Sequence, residues 1–65
     1  MGEWEGFRRD WRYMVNGHSV AHVFPSNSKP GFLFAGGIEQ GPRYFDLDQV
    51  TEAKAWVEAM YSLNN

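Results

Sequence analysis

The sequence predicts an α+β fold: a three-stranded, or four-stranded, antiparallel sheet with one C-terminal helix packed across one face, in the order β-β-β-α. Three observations carry this prediction. An Asn16-Gly17 pair separates two strand-like runs, "WRYMV" and "HSVAHVF". Two further runs, "FLFAGG" and "RYFDL", follow at short intervals between stretches rich in Gly, Pro and Ser. From about Asp46 onward the apolar residues recur at helical rather than strand spacing.

The Asn-Gly pair fixes the first hairpin, because a type I′ turn needs positive φ at both central residues and these two residues supply it at low cost. A two-residue loop places Val15 opposite His18, Tyr13 opposite Val20 and Trp11 opposite His22. One face then holds Trp11, Tyr13, Val15, Val20 and Phe24 with His18 and His22, and is the expected core face. The other holds Arg12, Met14, Ser19, Ala21 and Val23. Residues 1–8 either extend the first strand or stay a flexible N-terminal segment. "PSNSKPG", residues 25–31, reads as an exposed loop that ends the second strand. "FLFAGG" reads as a third strand, and residues 38–42 as a turn into a short fourth strand; alternatively residues 32–45 form one long irregular strand. Val50, Ala53, Val57, Met60 and Tyr61 then form one stripe of a helix of about four turns, with Asp46 or Asp48 as its N-cap.

At 65 residues the chain is one domain, near the lower size for a core without disulfide or metal, so its stability is expected to be modest and association would help it. Hydrophobic residues at 43% and aromatics at 17% are too many for a disordered chain and argue for a real core. There is no cysteine, which removes disulfide frameworks and thiolate zinc sites and makes a reducing cytoplasm the simplest location. No run suits a signal peptide or a membrane span, so no membrane role is expected. The net charge of −2 and six scattered basic residues disfavour nucleic acid, whose phosphates call for clustered Lys and Arg.

Few residues suggest chemistry. Two histidines four apart would meet on a helix, but on a strand His18 and His22 stand about 13 Å apart at ~3.3 Å per residue, too far to hold one ion. Asp46, Asp48 and Glu52 are accounted for by capping and by the helix dipole. "GGIEQG" has neither dinucleotide-fold nor P-loop spacing. The serines lack a nucleophile context. The sequence therefore assigns no catalytic residue, metal ligand, cofactor or small-molecule substrate. The aromatics are more suggestive. Trp56, Ala59 and Leu63 widen the apolar arc of the helix beyond what one sheet face needs, and Trp4 and Phe7 enrich the N-terminus. Trp4, Phe7, Trp56 and Leu63 are the expected anchors for a protein partner or a second copy of the chain.

The succession "WRYMV", "SVAHVF", "GFLF" and "RYFDLDQVTEAKAWVEAM" resembles the three-strand-plus-helix modules of integrase arm-binding domains and of the plant ethylene-response type of DNA-binding domain. In those modules a closing strand ending in Phe leads into a capped helix with an "EA" pair, as Phe45 and Glu52-Ala53 do here. The resemblance covers about residues 11 to 60. It implies DNA contact from the sheet, at positions matched by Trp11, Arg12 and Arg43. In size and style the chain also resembles the small accessory proteins of bacteriophages and prophages. The first expectation is thus a non-enzymatic interaction protein of that type. The alternative is nucleic-acid binding through Arg8, Arg9, Arg12, Lys29 and Arg43. A small hydrolase or metal protein using His18, His22 and the Asp46/Asp48 pair comes third.

Overall fold

The computed structural model describes residues 2–37 and 41–63. Five antiparallel strands form one open sheet in sequence order: β1 (Glu3–Phe7), β2 (Asp10–Val15), β3 (His18–Pro25), β4 (Phe32–Gly37) and β5 (Arg43–Asp46). The helix α1 (Val50–Leu63) packs across one face. The α+β class is as expected, but the strand count exceeds the three or four predicted. Residues 32–46 are two strands rather than one, and the expected turn at residues 38–42 lies partly outside the described residues.

The additional strand is β1, which falls in the segment that was open to being a flexible terminus. It pairs along its full length with β2, from Glu3 opposite Met14 to Phe7 opposite Asp10. Its turn is Arg8-Arg9, with Arg8 at φ 62°, a conformation that no Gly, Asn or Asp announces. Packing holds the strand in place. Trp4 lies 4.9 Å from the Tyr13 ring, and its indole Nε1–H donates to Glu58 Oε2 at 2.6 Å. The Lys54 ammonium sits over both Trp4 and Trp11, at 5.3 and 5.1 Å.

The second hairpin turns at Asn16-Gly17 with φ of 53° and 79°, as a type I′ turn requires. Val15 faces His18 as expected. Beyond Ser19 the register differs, because Val20 is an extra residue on β3: Met14 pairs with Ser19, but Tyr13 pairs with Ala21, Arg12 with His22 and Trp11 with Val23. This bulge exchanges the faces of the rest of β3. Ala21 and Val23 join Tyr13 in the core, whereas His22 and Phe24, expected in the core, lie on the opposite face.

The covered face mixes large and small residues. Tyr13, Ala21, Val23, Leu33, Ala35 and Phe45 are buried from the sheet side, Ala53 and Val57 from the helix, and Ala21, Ala35 and Ala53 let the two layers approach closely. At Gly37 the approach is closest. A Cβ there would collide with the Tyr61 hydroxyl and stand 2.7 Å from the Val20 carbonyl oxygen. The bare glycine lets Tyr61 Oη–H donate to that carbonyl at 2.8 Å, tying the last turn of α1 to the bulge.

The helix cap also differs from expectation. Neither Asp46 nor Asp48 occupies the N-cap; the first helical hydrogen bond runs from the Ala53 N–H to the Gln49 carbonyl, which places the cap at Gln49. A turn closed by the Gln49 N–H and the Asp46 carbonyl (2.9 Å) precedes it, and Gln49 Oε1 accepts from the Asp46 N–H at 2.9 Å. One glutamine thus joins the end of β5 to the start of α1.

Candidate functional site: the helix-free face of the sheet

An antiparallel sheet covered on one side normally turns polar residues to the other. This sheet departs from that pattern over its β3, β4 and β5 portion. Side chains alternate between faces along a strand, so residues next to the buried Val23, Leu33 and Phe45 point away from the helix. These are Phe24 on β3, Phe32 and Phe34 on β4, and Tyr44 on β5.

The register sets three of them in one row. Phe24 pairs with Phe34, and Phe34 with Tyr44. The Phe24 and Phe34 rings are 4.9 Å apart at 31°, and Phe34 meets Tyr44 edge-on at 6.0 Å. All three are half-buried by one another, and no layer covers them among the described residues. Phe32 extends the patch toward the β3–β4 loop.

That loop delivers a cation. The Ser26 N–H donates to the Phe32 carbonyl at 2.9 Å, and Ser26 Oγ accepts from the Lys29 N–H at 3.0 Å. These bonds fold the loop back so that the Lys29 ammonium lies 5.0 Å from the Phe32 ring centroid and 4.8 Å from that of Tyr44. The β1–β2 half of the same face is polar. Arg12 stands between Glu5 and His22 in the register, and Ser19 Oγ lies 3.3 Å from His22 Nε2. Asp46 pairs with Phe32 beside the rings, and Glu3, Glu5 and Asp10 lie with Arg12 on the β1–β2 half of the face.

The residues singled out from sequence do not gather at one place. Trp4 is half-buried on β1 beneath Lys54, on the helix side. Trp56 is half-buried at the other end of the sheet, 6.0 Å from the Phe45 ring, with the Arg43 guanidinium above both rings. The side chains of Phe7 and Leu63 lie outside the described residues. Of the basic set, Arg12 and Lys29 share the helix-free face, Arg43 lies on the helix side, and Arg8 and Arg9 form the exposed β1–β2 turn. His18 and His22 fall on opposite faces, since His18 pairs with Val15 of the core side and His22 with Arg12. No group of three or more His, Cys, Asp or Glu side chains is placed to hold a metal among the described residues.

Sequence reasoning missed Phe24, Phe32, Phe34 and Tyr44 as surface residues. The only available signal was the crowding of aromatics in residues 24–45, which a core also explains.

The structure therefore defines a small α+β protein with a five-stranded meander, one covered face and one open aromatic face. No family model matches the chain, and no curated protein or solved structure matches it either. No helix among the described residues is long and apolar enough to cross a membrane.

Proposed function

We propose that this chain is a non-enzymatic interaction protein that binds another protein chain, or a second copy of itself, through the helix-free face of its sheet. The observation that carries the reading is the row of Phe24, Phe34 and Tyr44, three adjacent rings on a face that packing among the described residues leaves open. Clustered aromatics in a polar rim are the usual anatomy of a binding hot spot. Trp4 and Trp56 already serve internal packing, which moves the expected anchors from the helix flank to the sheet. The reading also suits a small accessory protein of the bacteriophage type, whose modest core gains from association.

The test pairs the wild type with Phe34→Thr, which keeps β propensity and removes the central ring. Sedimentation over a range of concentrations or capture from a lysate should show association for the wild type, self-association in the first or a partner in the second, and its loss in the variant. A monomeric wild type whose captured proteins are indifferent to Phe34→Thr contradicts the reading.

One observation favours a second reading, sequence-tolerant binding of single-stranded nucleic acid: Lys29 and Arg12 share the face with the rings, and bases stack on such rings. The net charge of −2 and the acids Glu3, Glu5, Asp10 and Asp46 on the same face oppose it. Titration with single-stranded and duplex oligonucleotides at 50 mM salt separates the two, because phosphate-driven binding strengthens steeply as salt falls.

A further inference from the structure

A different surface carries an inference that does not rest on the sheet-face reading. The sheet has two edges, and they are unequal. At β5 the edge is four residues long, is preceded by Pro42, and has its Asp46 N–H taken by the Gln49 side chain. These are familiar means of blunting an edge. β1 is five residues long and regularly paired to β2 without a bulge, and no strand adjoins its outer side among the described residues. It is also held firmly for a terminal strand, by the Trp4 to Glu58 hydrogen bond and by Lys54 across Trp4 and Trp11. An edge held in place this way offers its outward N–H and C=O groups with little ordering left to lose.

Charge selects what could pair there. Glu3 and Glu5 are both exposed and both point to the helix-free side, one strand period apart. A second copy adding its own β1 in antiparallel fashion, with both helices on one side, would set a glutamate against a glutamate in the registers centred on Glu3, Trp4 or Glu5. Like charges directly opposite are destabilising, and opposite charges stabilise. The edge thus resists self-pairing and favours a strand of the opposite sign.

We infer that the outer edge of β1 is a docking site for an extended segment of a partner protein that carries Lys or Arg at alternate positions facing Glu3 and Glu5. The segment adds as a sixth strand, with its intervening residues on the side of Trp4. Glu5 is flanked on its inner side by Arg12, so Glu3 is the freer of the two and contributes more to the selection.

The experiment uses the full chain and three end-blocked peptides: Lys-Val-Lys-Val-Lys, its Glu-Val-Glu-Val-Glu counterpart, and the permuted Lys-Lys-Val-Val-Lys. Backbone amide shifts are followed by nuclear magnetic resonance up to millimolar peptide. The alternating lysine peptide should move the β1 amides and the Trp4 indole, and should bind at least about tenfold more tightly than the glutamate peptide. The Glu3→Lys/Glu5→Lys variant changes only exposed side chains and should reverse that preference. Equal binding of the alternating and permuted lysine peptides overturns the inference, as does the absence of β1 shifts at millimolar peptide. Shifts confined to Phe24, Phe34 and Tyr44 would overturn it too, while leaving the sheet-face reading intact.

Discussion

Both faces of the sheet carry large apolar residues, and they differ in what those residues meet. Under the helix the strands present the small Ala21, Val23, Ala35 and Gly37 beside the larger Tyr13, Leu33 and Phe45, while the open face carries Phe24, Phe32, Phe34 and Tyr44. The helix explains the first set. It lies close enough for Tyr61 to reach a sheet carbonyl, and at Gly37 even a methyl group would collide with it. Among the described residues nothing so near constrains the second set, and the rings there find one another and Lys29 instead. On β3 the residue that decides which side chains meet the helix is Val20 at the bulge.

This comparison can be broken from the covered side. Leu33→Ala opens a cavity at a fully buried position and should cost about 3 kcal/mol, enough to unfold much of a domain this size, as read by chemical denaturation. Gly37→Ala tests the closeness of the layers. Its methyl meets the Tyr61 hydroxyl and the Val20 carbonyl, so a loss of about 2 kcal/mol and a fall in Tm of about 10 °C are expected. An unchanged Tm would mean that helix and sheet stand further apart. Tyr61→Phe keeps the ring and removes only the donor to Val20, for an expected loss of about 1 kcal/mol in the same assay. On the open face Phe34→Thr should cost less than about 1 kcal/mol, because the ring is only half-buried, while removing association. A large stability loss there would make the row structural rather than a binding surface.

How much of this could be read from the residues varies by element. Asn16-Gly17 announced its hairpin because that turn type demands those residues, and α1 was legible from the stripe that buries Ala53 and Val57. β1 was not, since its turn is made by Arg8-Arg9, and arginine is no signal for positive φ. The bulge at Val20 was hidden for a deeper reason. Both registers give β3 an apolar face, and only tertiary packing against the helix places Ala21 and Val23 rather than Phe24 in the core. The candidate site follows from that choice, so it could not be seen before the bulge was known. The Gln49 cap was masked by two better-capping aspartates nearby.

The central claim is that the bulge turns Val23 toward the helix and Phe24 toward the open face, where it begins the aromatic row. Side-chain nuclear Overhauser contacts of these two neighbouring residues test it most directly. The structure predicts contacts from the Val23 methyl groups to Ala53 or Val57 of α1, and from the Phe24 ring to Phe34. Contacts from the Phe24 ring to the helix, with the Val23 methyl groups beside Asp10, would restore the unbulged register and remove the aromatic face.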